Sequence, residues 1–485
     1  MIRYNEKNER TAYYKMLLLV VIILLNMSGC KKFVDIDPPE TSLTGDNVFR
    51  DDATANAVML GVYTNLSSGA LFTGSFVGLS FFPGLSADEL TIFKDVIDAP
   101  MIQYYTNMLK GTQIADRIEF WSSIYQTIYI VNYTINGLSK SSSLNPSVKK
   151  QLMGEALFMR AFCYFYLTNL YGDVPLITSI DYSVNLGMPR SPQKVIYSQI
   201  VSDLKSAKES LNPGYVDASG INKSTERVRP NKFAAAALLA RVYLFTGMWD
   251  EAWREADFVI SNAGQYQLEK DLGRVFLKNS VEAIWQLQPV NLGENTSYGS
   301  GFVLTRGYNN GINPVYLSPD ITDAFEKNDL RKISWIGIDS STGKKYPFAY
   351  KYKQYEYGKP VTEYYMVMRL AEQFLIRSEA NLHKGRLTES ILDLNKVRRR
   401  SGLADIGLIT PDGIVNAILQ ERKVEFFTEW GHRWFDLKRT GKINEVMTSV
   451  TSRKGGVWQP YSQLYPISLT ELMKTPSISQ TPGYN

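Results

Sequence analysis

The sequence predicts a predominantly α-helical protein: a scaffold of tetratricopeptide-like helical hairpins that carries an irregular, loop-rich region with a few short strands. Three observations predict it. Helical periodicity dominates from Asp51 onward, two helical pairs repeat one layout, and residues 275–365 hold no sustained period. The chain has 485 residues and 44% hydrophobic content, enough to bury a large core in one domain or two closely packed ones.

Each element has a local reason. Asp51-Asp52 places acidic residues at a helix N-terminus, where they complement the unpaired amides and the dipole. Asn145-Pro146-Ser147 starts a long helix that runs through Ala156, Ala161, Phe165 and Leu170 and stops at Tyr171-Gly172. Further helical segments are expected over 194–211, 231–247, 249–263, 367–385, 388–401 and 413–430. Leu239 to Ala252 can be laid over Ile376 to Ser390, so that Gly247 falls on Gly385 and Glu251 on Glu389. The shared layout is helix, Gly turn, acidic first turn, second helix, a degenerate tetratricopeptide pattern. Such hairpins bury a face only by stacking on neighbours, which implies a superhelical scaffold. Between them, Ala283 to Leu287 and Phe302 to Leu304 are short apolar runs broken by Gly, Asn and Pro, and read as strands among loops.

The amino end reads as a targeting segment. Arg3, Lys7, Arg10 and Lys15 precede an apolar run from Met16 to Leu25. Ten helical residues span about 15 Å, half a bilayer core, so the run is a signal-peptide core and not a membrane span. It ends in Met27-Ser28-Gly29-Cys30, which resembles a bacterial lipobox: cleavage before Cys30 and lipidation of its thiol. The expected organisation is a signal peptide at 1–29, lipidated Cys30 with a Pro-containing tether at 30–45, and a helical domain at 46–485. No later stretch approaches twenty apolar residues, so membrane contact is expected through the lipid anchor only. The other cysteine, Cys163, sits in an apolar helical run as a small hydrophobe. Net charge is +5 with no basic stripe, which argues against nucleic acid as a partner.

Catalytic constellations are scarce. The only histidines, His383 and His432, are far apart, which leaves zinc sites and Ser-His-Asp triads without members. No phosphate-binding glycine loop is present, Gly455-Gly456 reads as a turn, and neither a metal nor a cofactor is expected. Glu421, Glu425 and Glu429 recur at four-residue spacing on one expected helix face. With Arg422, Lys423, Arg433, Lys438 and Arg439 nearby they suggest an ion-pair network rather than a glycosidase pair. Glu155, Arg160, Glu372, Arg377 and Glu379 read the same way, and Asp88 reads as a turn cap ahead of a ligand contact.

Taken together, these segments resemble the SusD/RagB family of Bacteroidetes nutrient-uptake lipoproteins over nearly the whole chain. The matching residues are the lipobox and tether, Ser86-Ala87-Asp88-Glu89-Leu90, Gly154 to Ala161 with Leu170-Tyr171-Gly172-Asp173-Val174-Pro175-Leu176, Arg369-Leu370-Ala371-Glu372 with Arg377-Ser378-Glu379-Ala380, Glu421 to Phe427, Gly431 to Arg439, Tyr465-Pro466-Ile467 and Gln480 to Tyr484. The resemblance implies a non-catalytic, lipid-anchored protein on the outer face of the outer membrane. It would bind a nutrient, usually an oligosaccharide and occasionally a peptide, for a SusC-like TonB-dependent transporter. A peptide-binding member, a tetratricopeptide adaptor that binds only protein, and a surface glycosidase are the alternatives, in falling order.

Sugar rings pack their C–H faces on aromatic side chains and hydrogen-bond at the rim. In the family, ligand aromatics come from the loop after the Ala-Asp-Glu motif and from the irregular middle region. The first place offers Tyr104, Tyr105 and Asn107; the second offers Tyr308, Asn309, Asn310, Trp335 and Tyr346.

Overall fold

The computed structural model describes residues 48–69, 76–112, 120–304 and 313–484, together with Met16. The segments expected as signal peptide and tether, Cys30 included, otherwise lie outside the described residues. Among the described residues, helices of eight or more residues are α1 (Asp52–Ser67), α2 (Phe120–Lys140), α3 (Pro146–Tyr171), α4 (Gln193–Ser210), α5 (Lys232–Phe245) and α6 (Trp249–Ile260). They continue with α7 (Leu370–His383), α8 (Leu387–Arg400), α9 (Pro411–Phe426), α10 (His432–Arg439) and α11 (Ile443–Arg453). Caps fall where the side chains demand: Asp51 accepts from the amides of Ala53 and Thr54, and Gly172 ends α3 at φ +79°.

Helices α2 to α8 stack in chain order, each packed on the next, and α9 closes the end by lying on α7 and α8. The stacking follows from composition. Helix α5 is buried from Phe233 to Leu244, and its run of alanines lets α4 and α6 approach closely. The two aligned hairpins both turn at a glycine in the left-handed region, Gly247 at φ +69° and Gly385 at φ +73°. Leu375, Leu394, Val397, Ile414, Ile418 and Phe426 interlock where α7, α8 and α9 meet.

Two expectations need correction. Residues 367–369 end a strand and not a helix, because Tyr365–Arg369 pairs with Ala283–Leu287. Helix α2 went unread because its Ser, Thr, Asn, Tyr and β-branched residues are weak helix formers. Packing overrides that preference by burying Trp121, Ile124, Ile128, Val131 and Leu138.

The irregular region holds short strands, as expected, although of the two apolar runs only Ala283 to Leu287 is one: Phe302 ends the short helix Ser297–Phe302, and Val303-Leu304 leave it in no strand. In chain order the strands are β1 (Leu90–Ile92), β2 (Val174–Pro175), β3 (Arg190–Ser191), β4 (Ala283–Leu287), β5 (Val315–Leu317), β6 (Ile336–Asp339), β7 (Tyr346–Ala349) and β8 (Tyr365–Arg369). They form antiparallel pairs, β1 with β5, β2 with β3, β4 with β8 and β6 with β7, and among the described residues none closes into a barrel. A buried ion network fastens this region to the scaffold. Arg369 at the end of β8 donates to both oxygens of Glu429, to Glu282 and to Glu425, while Arg331 bridges Asp329, Glu421 and Glu425. Lys351 donates to Glu429 and to the carbonyls of Glu425 and Phe427.

Candidate functional site

The segment Ser86 to Leu90 is held rigidly, and through it a surface is built. Asp88 is buried and takes a bidentate pair from Arg433 at 2.7 and 2.8 Å and a third bond from Lys423 at 3.0 Å. Burial works against its ionised form, but the two cations outweigh that and hold the carboxyl well below the usual range. Glu89 next to it meets the opposite balance. Burial and the Asp88 charge push its pKa up to about 8, with one amide, that of Thr428, donating to it.

Beyond Glu89 the chain enters β1, whose Thr91 lies opposite Tyr316 of β5. Tyr316 stands between buried Val315 and Leu317, so the two-residue period of a strand turns its ring outward. Strand β7 packs beside β5 and brings up Tyr346, with ring centroids 5.2 Å apart. Buried Phe93 backs both rings at 5.0 and 4.9 Å. Tyr105, the last residue of the helix Ala99–Tyr105, completes the group. Its hydroxyl shares a hydrogen bond with Thr91, and burial together with Tyr316 raises its pKa. The Lys454 ammonium sits 4.8 Å from the Tyr105 ring centroid, anchored on the carbonyls of Leu85 and Ala87. An exposed pair, Arg453 with Asp320 at 2.7 Å, lies at the edge. The three tyrosines are half-buried, and the group forms an aromatic platform with polar groups at its rim.

The structure therefore brings together two of the expected residues, Tyr105 and Tyr346, through a third, Tyr316, that sequence reasoning missed. The alternation Val315-Tyr316-Leu317 was the available signal. Other candidates are placed elsewhere. Tyr104 is 1% exposed and packs on Phe82 and Tyr465, at 4.7 and 5.1 Å. Asn107, at φ +52°, uses its amide to bond the Ser86 carbonyl and the Thr451 hydroxyl, both at 3.0 Å. Trp335 is wholly buried, donates its indole N–H to the Leu272 carbonyl and lies beside Lys351, Arg369 and Arg400. These three have no exposed face for a ligand, because each fills the core or satisfies a buried polar group. Tyr308, Asn309 and Asn310 lie outside the described residues.

The carboxylates expected as an ion network are one, but with different partners. Glu421 and Glu425 lie on α9, whereas Glu429 falls beyond its end in a turn where Thr428 and Trp430 adopt positive φ. Their cations are Arg331, Lys351, Arg369, Arg398 and Arg400, brought from distant segments. The sequence neighbours are used otherwise. Arg422 pairs with Asp436, Arg439 with Glu379 and Asp436, and Lys423 and Arg433 with Asp88. Asp88 is thus an ion-pair anchor and not a turn cap. His383 stacks on Trp249 at 3.8 Å, and His432 is buried against Phe426. Among the described residues no cluster of three His, Cys, Asp or Glu could hold a metal ion, and no helix is long and apolar enough to cross a membrane.

Known proteins share this architecture. A family profile described as "Starch-binding associating with outer membrane" matches residues 91–244, and the SusD family profile matches residues 338–484. SusD-like protein P2 of Formosa agariphila is 26% identical, covering 88% of this chain and 90% of its own. Among solved structures, a SusD superfamily protein from Bacteroides vulgatus superposes with a TM-score of 0.77 at 23% identity, over 90% of this chain and 99% of that one. A laminarin-binding SusD-like protein superposes with a TM-score of 0.71 at 23% identity, over 89% and 99%. With one profile on the helical stack, the SusD family profile running from within the irregular region to the C-terminal helices, and a SusD-like relative matched over 90% of its length, the chain belongs to the SusD/RagB family.

Proposed function

We propose that this protein is a non-catalytic, cell-surface glycan-binding lipoprotein, anchored through Cys30, that hands an oligosaccharide to a SusC-like TonB-dependent transporter. The observation that carries the reading is the platform of Tyr105, Tyr316 and Tyr346, backed by Phe93 and edged by Lys454, Arg453 and Asp320. A pyranose presents an apolar C–H face and a ring of hydroxyls, and this surface offers ring faces with charged hydrogen-bonding groups beside them. Family membership supports the same role, as does the glycan bound by the laminarin-binding neighbour.

The test is isothermal calorimetry of the purified protein against laminari-, malto-, xylo- and manno-hexasaccharides and a set of peptides, with product analysis alongside. Binding of one sugar class without cleavage is expected. Removing one ring by Tyr316→Ala or Tyr346→Ala takes away about 0.5–1.5 kcal/mol, a rise in Kd of roughly two- to twelvefold. Binding confined to peptides, cleavage of the sugar, or affinity indifferent to both tyrosines would each overturn the reading.

A further inference from the structure

A concavity of about 660 Å³ lies on elements that contribute nothing to the platform. One wall is the face of α2 that carries Trp121, Tyr125 and Tyr129, which recur every four residues and so share one side of the helix. The facing wall is the segment after β2, ending in the short helix Tyr182–Leu186, and the floor is closed by the C-terminal helix Leu469–Lys474. Its volume falls within the range of small-molecule sites, about 300–1,000 Å³.

Its walls are preset. The Tyr125 hydroxyl donates to the Pro175 carbonyl at 2.8 Å, which ties the two walls together. Trp121 packs on Tyr125 at 5.0 Å and edge-on to Tyr171 at 5.1 Å. Two rings stay open: Tyr129 is 54% exposed and Tyr182 75%. Polar groups stand among them. The Asn185 amide N–H is committed to the Ser179 carbonyl, and Glu471 pairs with Lys474 at 2.8 Å. Aliphatic walls alone would suit a lipid or an apolar peptide segment. Here Ile177, Ile180, Leu186, Met188 and Ile478 share the lining with the tyrosines, and open tyrosine faces beside a carboxylate and an ammonium suit a ligand that alternates apolar faces with hydroxyls. Between this cleft and the platform runs a buried series of rings, Trp121, Tyr171, Tyr465 and Tyr104, in steps of 5.1 to 6.5 Å, so the two surfaces are separate.

We propose that the cleft of Tyr125, Tyr129 and Tyr182 is a second saccharide-binding site, so that one chain holds two glycan segments at once. The proposal rests on the reading of the protein as a glycan binder.

Calorimetry of the intact protein with the same hexasaccharides, carried to millimolar ligand, tests it by stoichiometry. Two molecules per chain are expected. Tyr182→Ala or Tyr129→Ala, both at exposed positions, should weaken one binding event and leave the other with unchanged affinity, and Tyr316→Ala should weaken the complementary one. One molecule per chain, bound more weakly in Tyr316→Ala and indifferent to Tyr182→Ala and Tyr129→Ala, overturns the second site while the glycan-binding reading stands. One molecule weakened only in the cleft variants overturns the two-site proposal and moves the glycan off the platform. No hexasaccharide binding at all overturns both readings.

Discussion

Arg369→Met replaces a buried guanidinium with an apolar chain of similar length, and the structure sets what this should cost. The network around Arg369 counts five cations, Arg331, Lys351, Arg369, Arg398 and Arg400, against six carboxylates, Glu282, Glu326, Asp329, Glu421, Glu425 and Glu429. Removing Arg369 deepens the excess of negative charge and strips Glu429 of a bidentate partner, Glu282 of one bond, and Glu425 of two, one to its carboxylate and one to its backbone carbonyl. Breaking a buried pair by deleting one partner costs about 3–5 kcal/mol. For a chain of this size, with an unfolding entropy of about 0.9 kcal/mol/K, that is a fall in Tm of roughly 3–5 °C. Differential scanning calorimetry at about pH 5 and about pH 8 reads it. The stranded carboxylates would have folded pKa values raised above their unfolded ones. Their stabilising protonation is present at low pH and lost as pH rises, so the deficit should be larger at the higher pH. The exposed pair of Arg399 and Asp405 is the control, and Arg399→Met should leave Tm unchanged. A fall below about 2 °C for Arg369→Met, or one that is the same at both pH values, would refute an electrostatic role and leave only packing.

Two further outcomes follow from buried groups. Glu89 has a folded pKa of about 8 against an ordinary 4.5, so the folded state keeps a proton that the unfolded state has lost. Its contribution is complete below the unfolded value and disappears as pH rises through about 8; Glu89→Gln should therefore stabilise the protein at alkaline pH relative to wild type and flatten its stability profile between those limits. Trp335→Ala should lower stability by about 3–5 kcal/mol in denaturant titration while the folded fraction keeps its saccharide affinity, since the ring lies in the core beside the ion network. A selective loss of affinity would return Trp335 to the binding surface.

The hairpin scaffold was legible because each helix carries its own punctuation. Asn145-Pro146 and Gly172 bracket α3, and Gly247 and Gly385 mark equivalent turns, all local signals. Helix α2 was not legible, because its residues prefer other structures and only tertiary burial makes them helical. The same division runs through the site. Tyr105 and Tyr346 could be named from their irregular surroundings, yet nothing local separates Tyr105 from Tyr104, although one ring faces the platform and its neighbour fills the core. Tyr316 acquires its place only through pairing with Thr91, far away in the chain. The carboxylate ladder showed that a network exists, while its cations, spread from Arg331 to Arg400, are known only once the chain is folded.

The anchoring of Asp88 has a consequence for how the molecule is made. Its partners Lys423 and Arg433 lie 335 and 345 residues later in the chain, and β1 waits for β5. The helical stack α2 to α8 grows mostly from contacts between successive helices and can assemble as synthesis proceeds. The tyrosine platform cannot, because Asp88 has to close a loop spanning most of the chain before it is fixed. On refolding, circular dichroism should therefore recover well before ligand binding. A chain cut after α9 would look helical and yet present no assembled surface to a sugar, so helicity alone is a poor gauge of whether this protein is finished.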